Sequence, residues 1–238
     1  MRLFSTITVL SLLLAARCVP AAAMDSDDEI ARDFLWDTFA GLPAAGRPKV
    51  GVALSGGGTR GFAHVGVLEV LSDAGFPVDC VSGTSMGAVV GSFFCAGLPF
   101  SKMWDLGRSA SFSLVSRDFR KIRLLSLLMR DRLMSSKSME NFITKNIGDL
   151  RFSDFKIPFS CVAMDFKTGE KIVFREGPVA PAVRASMNLP GIFSPVEYRH
   201  RYLVDGGVID FIPVDIAREL GAQWVLASIT AGDFSSSP

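Results

Sequence analysis

The apolar positions of this chain form short continuous runs, with helical-period stripes between them and turns rich in glycine and proline. Residues 48–54 predict a buried strand, and Ser55-Gly56-Gly57-Gly58-Thr59-Arg60-Gly61 is the loop that leaves it. Val67, Val70, Leu71 and Ala74 then recur at i, i+3, i+4 and i+7, the stripe of a helix packed on a sheet, which Gly75 ends. Residues 78–82 predict a second strand, and 88–94 the start of an apolar helix. Further on, 159–166 and 171–174 predict a strand pair turned at Lys167-Thr168-Gly169-Glu170. Residues 180–187 predict a small-residue helix broken by Asn188-Leu189-Pro190-Gly191, Leu203-Val204 a strand, 213–220 a helix and 224–229 a last buried strand. The order strand, loop, helix, strand, turn, helix implies parallel strands with right-handed crossovers. The expected fold is a three-layer α/β/α sandwich on a mostly parallel central sheet, one domain over residues 48–230.

The flanks are different in kind. Arg2 precedes an apolar run over 3–16, and Ala21-Ala22-Ala23 closes it, so residues 1–23 have the pattern of a secretory signal with cleavage after Ala23. That pattern predicts export, to the periplasm, the outer membrane or cell surface, or the medium. Arg17 before Cys18 is a poor site for a lipid anchor. Residues 24–47 form an acidic, then Pro/Gly-containing lead-in with a short helix expected over 30–39, and 231–238 a polar tail. In the middle, Ile122, Leu125, Met129 and Leu133 share a helical face within 112–134, among six basic and two acidic residues between Arg117 and Arg132. Such a helix either covers the core or meets a lipid surface and lids a site, with Met134-Ser135-Ser136-Lys137 as its hinge.

Charge narrows the functions little but usefully. The chain has 25 Lys+Arg against 24 Asp+Glu; loss of Arg2 and Arg17 with the signal leaves 23 against 24, a balance that gives no support for nucleic-acid binding. After Cys18 leaves with the signal, Cys80, Cys95 and Cys161 remain, an odd and scattered set that is neither a disulfide framework nor a zinc site.

The chemistry gathers at Gly83-Thr84-Ser85-Met86-Gly87. A G-x-S-x-G pentapeptide between strand and helix is a nucleophile elbow, which leaves the Ser85 hydroxyl clear of the backbone. The loop with Gly56, Gly58 and Gly61 fits two uses. As a dinucleotide fingerprint it needs an acid at the carboxyl end of the second strand, and Asp79 lies at the other end. As a run of free backbone N–H groups beside a serine nucleophile it is an oxyanion hole, each donor worth about 3–4 kcal/mol in acyl transfer. Only two histidines are present; His64 falls on an apolar helix face and His200 in a polar stretch, so a Ser-His-Asp triad is disfavoured.

Gly56-Gly57-Gly58-Thr59-Arg60-Gly61 with Gly83-Thr84-Ser85-Met86-Gly87 resembles the patatin-like phospholipase family, and the family's third signature follows in order as Asp205-Gly206-Gly207. The resemblance runs over residues 48–229, and with the leader it is that of a bacterial, exported member. It implies a lipid acyl hydrolase of phospholipase A or lysophospholipase type that needs no metal or organic cofactor. It implies a Ser–Asp dyad in which Asp205 accepts the Ser85 proton and then activates water, with the Gly57, Gly58 and Thr59 amides as oxyanion hole. Arg60 either steadies anionic charge or faces solvent. The segment Ala185-Ser186-Met187-Asn188-Leu189-Pro190-Gly191-Ile192-Phe193 also resembles one that lines the family's site. Asp210 and Asp215 are rival carboxylates without the following glycine pair. Implied partners are a lipid or phospholipid substrate and a peripheral membrane surface. A catalytically weak lipid-binding domain and a nucleotide-binding protein are the alternatives.

Overall fold

A computed structural model describes residues 41–42, 46–115, 136–191 and 193–230. The signal, most of the lead-in, residues 116–135 of the basic apolar stretch and the tail lie outside the described residues.

Strand β1 (Val50–Leu54) is buried along its whole length. It leads through the glycine loop and a 3₁₀ turn (Gly58–Phe62) into α1 (Ala63–Asp73). Strand β2 (Cys80–Thr84) feeds α2 (Met86–Cys95), then α3 (Phe100–Val115) and α4 (Ser136–Ile147). Ser136 and Lys137, expected in a hinge, are the first residues of α4. After these come β3 (Phe159–Asp165), β4 (Lys171–Phe174), α5 (Val179–Ser186), β5 (Val196–Tyr198), β6 (Arg201–Asp205), α6 (Val214–Glu219) and β7 (Trp224–Ser228).

The sheet is parallel through its centre, where β7, β1, β2 and β3 lie side by side. β4, β5 and β6 add antiparallel ladders at the β3 side. Alternation along the strands sends side chains to two helical layers. On β1 and β2, Gly51 and Cys80 face α6, where a Cβ at Gly51 would meet Ala217 and Ala222. Leu54 and Val81 face α2, against Gly91.

The register around β3 decides where the chemistry sits. A strand has two edges, and β4 takes one of them along Cys161–Met164. Thus β2, paired with 159–162, and β6, paired with 163–165, share the other edge end to end. Thr84 pairs with Val162 and Asp205 with Ala163, so the two strands run head-on and stop one β3 residue apart.

The structure departs from the sequence reading at four points, the first being the last strand: β7, expected to be buried, is an end strand of the sheet with only Ser228 buried. The buried face of α1 is His64, Val65, Leu68 and Leu71, and Val70 is exposed; the helix packs on α2 and α3 and reaches β7 through His64 and Ser228. β2 runs to Thr84 and α2 begins at Met86, so the elbow is a single-residue joint at Ser85. The β5–β6 hairpin was not anticipated: its turn residues Arg199 and His200 take φ of 47° and 65°, a conformation usually left to Gly or Asn.

Candidate active site

Ser85 is the joint between β2 and α2, with φ 55° and ψ −120°, left-handed values that a serine adopts only under constraint. The constraint is the closeness of its neighbours. A Cβ at Gly83 would lie 2.4 Å from the Gly87 carbonyl oxygen, and one at Gly87 2.3 Å from that of Leu54. Strand and helix therefore touch backbone to backbone, which only glycine permits. The amides of Met86 and Gly87 precede the first intrahelical hydrogen bonds of α2, so its positive end is turned to Ser85.

Asp205 ends β6 and is almost fully buried, at 1% exposure. The Ser85 hydroxyl donates to its Oδ2 at 2.6 Å, and the Gly207 N–H donates to Oδ1 at 2.7 Å. Burial raises the Asp205 carboxyl above its ordinary range; the two hydrogen bonds pull it back only in part. A desolvated carboxylate on a serine hydroxyl has the geometry and the basicity to take its proton.

The glycine loop runs beside the Ser85 turn. A Cβ on Gly56 would lie 3.6 Å from the Ser85 Cβ, and one on Gly61 2.5 Å from the Met86 Cβ. Gly58 and Thr59 open the 3₁₀ turn, where backbone N–H groups lack an internal acceptor, and both are exposed. Arg60 is exposed as well.

Beneath the loop lies a buried polar network. Thr230 donates from its hydroxyl to the Gly56 carbonyl at 2.6 Å and from its N–H to Ser55 Oγ at 3.0 Å. His64, fully buried, places Nε2 3.0 Å from the Ser55 carbonyl and Nδ1 2.8 Å from Ser228 Oγ. A carbonyl only accepts, so Nε2 carries the proton and Nδ1 accepts from Ser228. Burial lowers the His64 pKa, and both ring nitrogens are occupied in a structural role. His200 is exposed in the β5–β6 turn, so neither histidine reaches Ser85.

The rival acids are committed elsewhere. Asp210 and Asp215 both bind Lys171, at 3.1 and 2.5 Å. Asp79 accepts from Val50 N–H at 2.7 Å and from Arg47 at 2.6 and 3.0 Å, a clamp at the amino end of the sheet. That placement leaves the nucleotide reading without its ribose acid. Burial pushes the Cys80 thiol up to about 11 and those of Cys95 and Cys161 upward too, so none is a thiolate near neutral pH. Among the described residues no three His, Cys, Asp or Glu side chains converge as a metal site.

Sequence reasoning gave Ser186 and Asn188 no role beyond lining. Ser186 Oγ accepts from Ser85 N–H at 3.0 Å, and the Asn188 carbonyl accepts from Asp205 N–H at 2.9 Å. Nothing in a small-residue helix marks one buried serine as different from its neighbours.

A family model described as patatin-like phospholipase matches residues 52–218. The chain is 37% identical over 181 residues to a patatin-like phospholipase domain-containing protein of Caenorhabditis elegans, covering 75% of this chain and 13% of that one. It is 34% identical over 180 residues to an uncharacterized NTE family protein of Mycobacterium tuberculosis, covering 76% and 48%. It is 33% identical over 178 residues to the lysophospholipase nte1 of Aspergillus fumigatus, covering 75% and 12%. The match thus spans at most about half the length of these relatives. Among solved structures, VipD from Legionella pneumophila shares the fold, with a TM-score of 0.51 at 16% identity over 78% of this chain and 51% of that one.

Proposed function

The chain belongs to the patatin-like phospholipase family, and from that premise we propose that it is a serine acyl hydrolase cleaving carboxylic esters of lipids, of phospholipase A or lysophospholipase type. The observation that carries this reading is the buried 2.6 Å hydrogen bond from the Ser85 hydroxyl to Asp205. Relatives named as lysophospholipases support the substrate class.

In the proposed reaction Ser85 Oγ attacks the ester carbonyl as Asp205 takes the hydroxyl proton. The carbonyl oxygen gains charge and is held by the Gly57, Gly58 and Thr59 amides, joined by the N–H of Met86, the residue after the nucleophile. The tetrahedral species collapses, Asp205 returns its proton to the leaving alcohol, and the acyl group stays on Ser85. Water then enters, gives a proton to Asp205 and attacks the acyl carbon; as the second tetrahedral species collapses, Asp205 passes that proton to the departing Ser85 Oγ, which frees the fatty acid and restores the dyad. No step draws on an imidazole.

We take the chain to be an exported bacterial member, its leader removed after Ala23, acting at a lipid surface. The charge and apolar pattern of residues 1–23 supports export and the cleavage point.

A fluorophosphonate probe tests the central reading, because only an activated serine is phosphonylated. Labelling of the wild-type protein and none of a folded Ser85→Ala variant is expected, with loss of p-nitrophenyl ester turnover in parallel. Equal labelling or turnover of the two would remove Ser85 as nucleophile. The intact mass of the exported protein checks the leader: a chain beginning at Met24 is expected, and retention of residues 1–23 would exclude cleavage.

A further inference from the structure

Where β2 stops and β6 arrives on the shared edge of β3, the ladder is interrupted, and two backbone groups fall in the gap. One is the Ser85 N–H, at a residue turned out of strand geometry and placed before the first helical hydrogen bond. The other is the Val162 carbonyl, packed so tightly on Gly206 that a Cβ there would lie 2.2 Å from the oxygen. Both are buried, where an unpaired backbone group is costly.

One side chain serves both. Ser186, with no exposed surface, donates its hydroxyl proton to the Val162 carbonyl at 2.6 Å and accepts from Ser85 N–H at 3.0 Å. With its single proton committed to Val162, its lone pairs are left for Ser85. Two residues on, Asn188 accepts the Asp205 N–H on its main-chain carbonyl at 2.9 Å, and its side-chain Nδ2 donates to the Leu203 carbonyl at 3.2 Å and the Ser194 carbonyl at 3.0 Å. A three-residue segment therefore grips the main chain of both partners without bonding the Ser85 hydroxyl or the Asp205 carboxylate.

We propose that Ser186 is a positioning residue that sets the Ser85–Asp205 geometry through the Ser85 main chain, with Asn188 holding the Asp205 side of the gap. This rests on the acyl-hydrolase reading above. Helix α5 and the turn after it, rather than the elbow alone, then decide how well the hydroxyl meets the carboxylate.

The test is Ser186→Ala, with Ala182→Gly in the same helix as a control for buried destabilisation away from the pair. Ser186→Ala is expected to lower kcat about 10- to 100-fold with KM changed by less than about threefold, since a small misplacement of reacting groups acts on the chemical step. Fluorophosphonate labelling should slow by a similar factor. The acid limb of the pH–rate profile should move to higher pH, because a misaligned Ser85 hydroxyl no longer stabilises the Asp205 carboxylate. Ala182→Gly should melt earlier and keep both kcat and the limb. If Ser186→Ala fails to fold, Ser186→Cys, near in size and weaker in hydrogen bonding, takes its place with an intermediate loss and the same shift. A folded Ser186 variant with kcat within about twofold of wild type, or one losing rate with an unmoved acid limb, overturns the positioning role. In that case wild-type labelling leaves the hydrolase reading standing; a wild-type protein that resists the probe removes both.

Discussion

Ser85 and Asp205 lie 120 residues apart in sequence, yet they cap two strands that approach head-on along one edge of β3, and their side chains meet at 2.6 Å. Neither side chain needs a long reach, because Thr84 and Asp205 pair with the consecutive residues Val162 and Ala163.

Asp205→Asn should separate activity from stability. Asparagine keeps an acceptor for Gly207 N–H and a polar contact for Ser85, but it takes no proton. Turnover is expected to fall about 100-fold or more. The raised folded-state pKa means that the native state binds more protons than the unfolded chain between the ordinary carboxylate value and the raised one, so stability falls as pH rises through that window. Near neutral pH the variant should melt no lower than wild type. A marked drop in its melting temperature would contradict a carboxylate held at a desolvation cost.

On the proposed mechanism, in which Asp205 must be ionised, the pH–rate profile should have an acid limb above the ordinary carboxylate range, because burial raises its pKa. His200→Gln, in an exposed turn, should leave rate and limb unchanged. His64→Gln should retain most of the activity with a stability cost of about 1–3 kcal/mol from its two buried hydrogen bonds. A folded histidine variant as inactive as Asp205→Asn would replace the dyad with a triad.

Two glycine substitutions should behave oppositely. Gly87→Ala forces a Cβ to within 2.3 Å of the Leu54 carbonyl oxygen and 2.6 Å of that of Ser55, both main chain, so loss of soluble folded protein is expected. Gly58→Ala meets nothing within 4 Å and bears only the strain of φ +56°, about 1–2 kcal/mol. It should fold, and expression with thermal melting distinguishes the two.

Asp79 should govern acid stability at the far end of the sheet. Burial acts to raise its carboxyl, but hydrogen bonds from Arg47 and Val50 outweigh that and hold it below the ordinary range. Its contribution is present above the unfolded-state pKa and lost as pH falls through the depressed value. Asp79→Ala should cost about 1–3 kcal/mol near neutral pH and reduce the further loss of stability on acidification, measured by urea unfolding at several pH values. Ester turnover by the folded variant should match wild type, because Asp79 lies at the opposite end of β2 from Ser85.

The sequence by itself determined the parts that depend on neighbours in the chain. Runs of apolar residues marked β1 and β3 because a strand buried on both faces needs no alternation; β4 and β7 were marked by the same kind of run but lie half-buried at the margins of the sheet. The Gly-x-Ser-x-Gly spacing marked the elbow because backbone contact between adjacent elements excludes a Cβ. Family signatures pointed to Ser85 and Asp205, but what joins them was decided by tertiary structure. That β2 and β6 share one edge of β3 is a matter of register between segments far apart, which no local pattern encodes. The hairpin at Arg199 and His200 escaped notice because it has a turn conformation without the glycine or asparagine that would signal it. Ser186 escaped for a related reason: a buried hydroxyl acquires meaning only from the unpaired N–H and carbonyl that the fold brings to it. Composition can supply such a donor and acceptor, but only packing decides which gap they fill.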